Sequence, residues 1–131
     1  MRCMTNYARR HAGSAALRDA GRLDLSAEMR ARDIVRCESF SHSACGRDFT
    51  FWIKRVGYLR AACWRVGENI AWGSGSYSSV RSIFAAWMNS PPHRENILSR
   101  GYRSIGIGLE VGALAGYRDA HVWVQHFGEH C

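Results

Sequence analysis

Residues 104–112 read SIGIGLEVG, a stretch in which large apolar side chains alternate with small ones. The apolar residues fall on one face of a β-strand, and Gly106 and Gly108 fall on the other, where they permit close packing. A second run, HVWVQHFG at 121–128, is rich in β-branched and aromatic residues and predicts a last strand. The segment GALAGYRD at 112–119 joins the two and predicts an antiparallel hairpin with a longer connection.

Apolar residues spaced three and four positions apart predict helices ahead of these strands. The first predicted helix is capped by Thr5 and runs toward Leu17, and Gly21 breaks the chain after it. The second is capped by Ser26 and ends near Cys37. Helices that come first and strands that come last indicate an α+β fold.

Two further helices and one more strand complete the prediction. Asp48 caps a third helix that Gly57 stops, and VGENIAWG at 66–73 predicts a strand or extended segment. A fourth helix ends at Pro91 and is followed by a short helical turn around 96–98. We expect its apolar stripe to belong to the core; the stripe consists of Val80, Ile83, Phe84, Trp87 and Met88.

Length and composition predict a single domain spanning residues 1–131. With 47% hydrophobic and 22% charged residues the chain can bury a core, which excludes disordered, collagen-like and coiled-coil proteins. No apolar run is long enough to cross a membrane, and the N-terminus lacks the apolar stretch of a signal peptide. We expect a soluble monomer without a transmembrane segment.

The net charge of +7 comes from 18 Lys and Arg against 11 Asp and Glu residues. These basic residues are scattered, and no run of them is interleaved with aromatic residues, so no specific nucleic-acid partner is indicated. A solvated basic surface explains the charge. Lipid head groups, anionic cell-wall polymers or acidic polysaccharides remain as non-specific partners.

Five cysteines are a high density for a small chain, and none forms a C-x-x-C pair; they are Cys3, Cys37, Cys45, Cys63 and Cys131. This excludes a zinc ribbon and a thioredoxin-type centre and favours disulfides in an oxidising compartment. We therefore expect a secreted or extracytoplasmic protein whose leader is absent from this chain. Reduced, buried thiols in a cytosolic protein are the alternative.

The pairing of the cysteines stays open at this point. Cys37 and Cys45 bracket a short segment that can turn back to the separation a disulfide requires. Cys45 with Cys63, or Cys63 with Cys131, are rival pairs. With an odd number of cysteines at least one thiol is left over, and Cys3, near a terminus expected to be mobile, is the candidate.

A family resemblance rests on five stretches in order. They are SFSH (39–42), GENIAWG (67–73), AWMNSPPHRENIL (86–98), GYRSIGIGL (101–109) and VWVQHFG (122–128). Together they resemble the CAP superfamily, the cysteine-rich secretory, antigen 5 and pathogenesis-related proteins, in its short bacterial form. With NYAR at 6–9 and the segment 23–26 the resemblance covers nearly the whole chain.

The resemblance implies an α-β-α sandwich, with helices on both faces of a small antiparallel sheet, and a cleft lined by two histidines and two acidic residues that often takes a divalent metal. Residue by residue, His42, Glu68 and His93 match three of the four. The fourth, acidic position is Ser90 here, and Glu95 is the nearest acid but does not match. Two imidazoles and a carboxylate suit Zn²⁺ or a similar ion.

Each of these residues also has a structural interpretation. Isolated histidines are usually hydrogen-bonded structural residues. Glu68 and Asn69 also have a purely structural alternative, in which they hydrogen-bond to backbone groups of the loop and do nothing else. Trp72, followed by GSGS, is a candidate for the border of a cleft. A surface location is expected for the C-terminal histidines, which are His121, His126 and His130.

Three functions follow as hypotheses. The first is a secreted binding module whose cleft offers His42, Glu68 and His93 to a divalent ion or small ligand. The second is a metal-assisted hydrolase in which Glu68 is the general base for a bound water. The third, implied by the resemblance alone, is a lipid or sterol carrier, although the sequence offers no obvious apolar pocket loop.

Overall fold

The computed structural model describes residues 1–60 and 62–130, which form five α-helices and a four-stranded sheet. In chain order the elements are α1 (Arg2–His11), β1 (Arg18–Asp19), α2 (Gly21–Arg36), α3 (Thr50–Arg55), β2 (Trp64–Gly73), α4 (Val80–Met88), α5 (Pro91–Leu98), β3 (Ser104–Leu114) and β4 (Tyr117–His130). Short 3-10 segments lie at Ala44–Gly46 and Gly75–Ser78.

The sheet has the strand order β1-β3-β4-β2. β3 and β4 form an antiparallel hairpin, and β2 pairs antiparallel with the other side of β4. The α+β prediction is thus confirmed. Two-residue β1 adds a parallel edge, pairing Arg18 with Ser104, that is too short to have a sequence pattern.

The hairpin connection is shorter than predicted. β3 continues to Leu114 and β4 begins at Tyr117, which leaves Ala115 and Gly116 as the turn. Their φ angles are 51° and 84°, the left-handed pair that a two-residue hairpin turn requires. The longer connection was wrong because alanine is an unusual residue at the first of these positions.

Helix α2 covers one face of the sheet at very close range. A Cβ built on Gly106 would lie 2.0 Å from the carbonyl carbon of Leu23, and one on Gly108 would lie 2.2 Å from that of Ala27. The predicted close packing of this glycine face is therefore confirmed. The core between α2 and the sheet comprises Ala27, Ala31, Ile34, Ala44, Ile70, Leu114, Ala120, Val122 and Val124.

Helix α2 begins at Gly21, so the predicted break there and the start after Ser26 are both wrong. Leu23 is fully buried and packs in a cluster with Ile53 of α3, which favours helix over loop in this segment. Ser26 lies inside the helix and is fully buried. The predicted end near Cys37 agrees with the structure.

Helices α1, α4 and α5 pack on the opposite face, which completes the α-β-α sandwich. The predicted core stripe of α4 is confirmed at Ile83, Phe84 and Trp87, which are 3%, 9% and 1% exposed. Val80 and Met88, at the two ends of the helix, are only half-buried. Trp87 also donates an Nε1–H hydrogen bond to the carbonyl of Ile70 in β2 (3.1 Å). The α4 helix is therefore fixed to the edge strand by packing and by a buried polar contact.

Pro91 and Pro92 begin helix α5, whereas the sequence pattern predicts Pro91 only at the end of α4. Helix α4 stops at Met88, and Pro91 and Pro92 occupy the first turn of α5, where the missing amide hydrogen costs nothing. The predicted short turn at 96–98 is thus the end of an eight-residue helix.

Helix α1 lies closer to the N-terminus than the sequence predicts. It runs over Arg2–His11 and ends before Gly13, which has φ 71°. Cys3 accordingly lies in a helix, not in a mobile terminus. The fully buried Arg9 donates hydrogen bonds to the carbonyls of Ile97 and Ser99 (both 2.8 Å), which caps the C-terminal end of α5.

The predictions for the middle of the chain agree closely with the structure. The carboxylate of Asp48 accepts a hydrogen bond from the amide of Thr50 (2.8 Å) at the start of α3. Gly57, with φ 74°, follows the end of that helix. The predicted strand at 66–73 is β2.

Candidate functional site

Glu68 of β2 lies at the centre of a cluster of charged and titratable side chains. Its side chain is 2% exposed, and its Oε1 lies 2.7 Å from Nδ1 of His42. Its Oε2 lies 2.7 Å from Nε2 of His126 and 3.3 Å from Nε of Arg30. The Arg30 contact is an ion pair without hydrogen-bond geometry. One carboxylate therefore joins an exposed imidazole to a buried imidazole.

The buried end of this cluster is held by α2. His126 is fully buried, and its Nδ1 lies 2.7 Å from the hydroxyl oxygen of Ser26. Arg30, also fully buried, donates hydrogen bonds to the carbonyls of Arg47 (3.0 Å) and Asp48. Arg30 thus ties the end of the loop that carries His42 to the same helix that supports His126.

A disulfide closes that loop. Cys37 and Cys45 are bonded, with their Cα atoms 5.6 Å apart, and His42 lies between them. The predicted pair is confirmed, which excludes Cys45 with Cys63. Cys131 lies outside the described residues, so its pairing with Cys63 stays a prediction. Cys3 has a free, exposed thiol, as expected of the odd cysteine.

His93 enters the site from the first turn of α5. Its Nδ1 lies 2.7 Å from the hydroxyl oxygen of Ser90, the residue at the position where the family has an acid. The His93 carbonyl accepts a hydrogen bond from the fully buried amide of Asn69 (3.1 Å). Glu95 is exposed and makes no contact with the cluster among the described residues.

Asn69, the neighbour of Glu68 in β2, belongs to a network of side-chain hydrogen bonds. Its Nδ2 donates to the side-chain oxygen of Gln125 (3.1 Å), and its Oδ1 accepts from Asn96 (2.9 Å). Gln125 in turn donates to the hydroxyl of Thr5 in α1 (3.0 Å). The structural interpretation thus fits Asn69, whereas Glu68 contacts side chains of the site.

The contacts shift the pKa values of three groups. Burial alone would raise the pKa of Glu68, but hydrogen bonds from His126 and His42 outweigh it and the pKa is lowered. The hydrogen bond to Glu68 raises the pKa of His42. Burial, and then the charge of nearby His42, lowers the pKa of His93. The two histidines that match the family are therefore close enough to influence each other.

Sequence reasoning missed His126 and Arg30. The surface expectation was wrong for His126, which pairs with Glu68 in the register of β2 and β4. A signal was present: Val122 and Val124 are core residues, and strand alternation places residue 126 on the same face. Arg30 gave no signal, since an arginine on a helix is usually solvated.

In the part of the chain that the structure describes, no three His, Cys, Asp or Glu side chains are arranged to hold a metal ion. Both oxygens of Glu68 are engaged by histidines. Ligation by His42, Glu68 and His93 together stays a prediction. Across residues 1–60 and 62–130 there is also no helix with the length and apolar character to span a membrane.

The fold and this imidazole–carboxylate cluster define a CAP-type domain. The model of the cysteine-rich secretory protein family, CAP, matches residues 4–127, and the chain belongs to that family. It is also similar to the uncharacterized protein YkwD of Bacillus subtilis, with 30% identity over 128 residues. That alignment covers 95% of this chain and 44% of YkwD, so the chain spans less than half of this relative.

Solved structures show the same fold. An outer surface protein of Borrelia burgdorferi matches with a TM-score of 0.80 at 18% identity, covering 99% of this chain and 90% of that one. An extracellular SCP-domain protein of Bacillus anthracis matches with a TM-score of 0.76 at 22% identity. The match covers 96% of this chain and 38% of that one. The predicted α-β-α sandwich is confirmed.

Proposed function

We propose that this chain is the CAP domain of an exported protein and that its cleft binds a divalent metal ion or small ligand through His42 and His93. One observation carries the proposal: the Nδ1 atom of each imidazole is fixed, by Glu68 and by Ser90, while neither Nε2 atom has a hydrogen-bond partner among the described residues. An imidazole oriented through one nitrogen is prepared to bind through the other.

In this proposal Glu68 is a positioning residue. The ionised carboxylate only accepts hydrogen bonds, so the Nδ1–H of His42 donates to it and Nε2 keeps its lone pair. Carboxylate–imidazole pairs of this kind hold metal-binding histidines in protein sites. Zn²⁺ would be held by His42 and His93, with further ligands from solvent or a small molecule.

The metal-assisted hydrolase is the alternative, and the geometry supports it less well. A general base needs a carboxylate oxygen near the water it deprotonates and a pKa close to the working pH. The Glu68 side chain is 2% exposed, both of its oxygens are occupied, and its pKa is lowered. A lipid or sterol carrier gains no support from α4, whose apolar stripe already packs in the core.

Export is supported by the disulfide around the His42 loop, since such bonds persist in oxidising compartments. The net charge of +7 favours an anionic cell-wall polymer or lipid surface as the environment of the domain. Arg65, Arg100 and Arg103 line a shallow depression that contributes to this charge.

Metal analysis tests the cleft. The protein is purified without chelator, supplied with Zn²⁺ and dialysed, and its zinc content is compared with that of a His42→Ala/His93→Ala double variant. We expect zinc in the unmodified protein and its loss from the double variant. His11→Ala, which removes an exposed histidine of α1, is the matched control and should retain the metal. Equal zinc content in all three proteins would contradict the cleft site.

A further inference from the structure

A concavity lies at the edge of the sheet, between the end of β2 and helix α4. It has a volume of about 340 Å³, within the range of small-molecule pockets. Its walls are Ala71, Trp72, Gly73, Ser74, Tyr77, Ser82, Ile83, Ala86 and Tyr117. None of the residues of the histidine cluster belongs to it, so it is a separate feature of the surface.

Three aromatic rings border this concavity. The ring centroids of Trp72 and Tyr117 lie 5.5 Å apart, which makes a broad aromatic wall. Tyr117 is 53% exposed and Tyr77 is 75% exposed. Burial in the core does not explain either tyrosine, because both rings face solvent. Trp72 and Tyr117 thus form one aromatic surface at the rim of the concavity, and Tyr77 adds a further exposed ring to its lining.

The loop that presents Tyr77 is firmly tethered. The hydroxyl of Ser82 donates to the carbonyl of Ser76 (3.0 Å), and the indole of Trp123 donates to the carbonyl of Ser78 (3.2 Å). A Cβ on Gly73 would lie 2.2 Å from the carbonyl oxygen of Tyr77, so the loop folds directly back onto the strand. The backbone that carries Tyr77 is thus fixed to the sheet and to α4.

The lining chemistry selects the class of ligand. The chain contains 18 basic and 11 acidic residues, yet none of the charged residues that the structure describes lines the concavity. A neutral ligand is therefore favoured over an anionic one. Four of the lining side chains end in hydroxyl groups; they are Ser74, Tyr77, Ser82 and Tyr117. The Ser74 hydroxyl already donates to Oδ1 of Asp119 (2.7 Å), and the Ser82 hydroxyl donates to the carbonyl of Ser76. The two serine oxygens can therefore only accept from a ligand. The two tyrosine hydroxyls can both donate and accept.

We propose that this concavity binds a neutral saccharide. A pyranose ring has an apolar face of C–H groups, which stacks on an aromatic ring, and a rim of hydroxyl groups, which hydrogen-bonds to side-chain hydroxyls. Trp72, Tyr77 and Tyr117 supply the stacking surfaces. The two tyrosine hydroxyls can donate to the sugar, and the serine oxygens can accept from it. This site is independent of the histidine cleft and does not rest on its function.

Saturation-transfer NMR and calorimetry with two neutral probes, chitotriose and maltotriose, test this site. We expect at least one probe to bind, and a Tyr77→Ala/Tyr117→Ala double variant to bind it about tenfold more weakly. Both tyrosines are exposed, so this variant should fold, which its thermal transition verifies. Tyr7→Ala removes a tyrosine of α1 that is 60% exposed and is the matched control; it should bind like the unmodified protein.

Three results would overturn the proposal. The first is no binding of either probe to the unmodified protein. The second is binding that the double variant retains unchanged, or that Tyr7→Ala weakens equally, because the saccharide would then sit elsewhere. The third is occupation of the concavity by an apolar probe such as a fatty acid, or by a peptide, with no saccharide competing. A His42→Ala/His93→Ala variant should bind the saccharide like the unmodified protein, which would show that saccharide binding at the concavity does not depend on the histidine site.

Discussion

The hydroxyl oxygen of Ser90 lies 2.7 Å from Nδ1 of His93, so a serine orients the imidazole from the position where many CAP proteins have an acid. The serine hydroxyl is uncharged, so it fixes the ring without adding a negative charge beside it. Among the described residues, the carboxylate that contacts the cleft histidines is Glu68, and it is directed at His42 rather than at His93.

We expect Ser90→Ala to weaken Zn²⁺ binding by about 10- to 100-fold, the usual effect of removing a group that orients a metal-binding histidine. Calorimetric titration with Zn²⁺ measures this. Ser78→Ala, which removes a hydroxyl bonded to the carbonyl of Gly75, is the control and should leave the affinity unchanged. An unchanged affinity in Ser90→Ala would contradict the role of Ser90 in orienting His93 for the metal.

Zinc affinity should fall as the pH falls, because a protonated imidazole has no lone pair for a metal. The hydrogen bond to Glu68 raises the pKa of His42 above the ordinary histidine value of 6.5. Protons therefore begin to compete with the metal for His42 at a pH above that value. The pKa of His93 is lowered, so His93 stays available to lower pH. Titrations between about pH 5 and pH 8 check this, and a flat profile would exclude both histidines as ligands.

Loss of the disulfide should weaken both the fold and the cleft. A Cys37→Ser/Cys45→Ser double variant should lower the free energy of unfolding by about 2–3 kcal/mol, the chain-entropy effect of closing so short a loop. Ligand affinity should fall as well, because the loop that carries His42 must then be ordered on binding. Urea denaturation measures the first effect. Cys3→Ser, which removes a free exposed thiol, should change neither quantity.

Gly108→Ala should destabilise the protein by about 1–3 kcal/mol or more, because the new methyl group would overlap the backbone of α2 at Ala27. Thermal and urea unfolding measure the loss. Gly21→Ala is the matched control, since nothing lies within 4 Å of a Cβ at that position. Similar losses in both variants would mean that α2 does not rest on the glycine face.

Trp87→Ala should cost about 3–5 kcal/mol, the range for truncating a large buried aromatic side chain. The side chain is 1% exposed, and its indole bonds to the carbonyl of Ile70. Denaturant unfolding measures the change. A loss below about 1 kcal/mol would place Trp87 on an exposed face instead.

The parts of the fold that the sequence predicts well are those with a strong local pattern. The stripe of α4 and the alternation in β3 each repeat over several residues, and both elements are found where they were expected. The start of α2 was not predictable, because Gly21 opens the helix only through the tertiary packing of Leu23. The same limit applies to the two-residue strand β1.

The residues of the site also divide into those that the sequence indicates and those that it does not. The family motifs point to His42, Glu68 and His93. The structure joins His42 to Glu68 by a hydrogen bond, whereas the binding of a metal by all three residues together stays a prediction. His126 and Arg30 depend on a strand register and a helix face that meet only in the folded chain, so single-sequence reasoning left them out. Ser90 stands in the sequence where the family motif has an acid, but its hydrogen bond to His93 depends on the folded geometry of the turn before α5.

The contact of Arg9 with Ile97 joins residues 88 positions apart in the chain, and it governs the order in which the domain can be completed. Synthesis proceeds from the N-terminus, so α1 is made long before the carbonyls that its arginine must reach. Until residue 99 has been synthesised, the guanidinium of Arg9 cannot make its hydrogen bonds to the end of α5. Helix α1 therefore completes its buried polar contacts only once α5, made later, is in place.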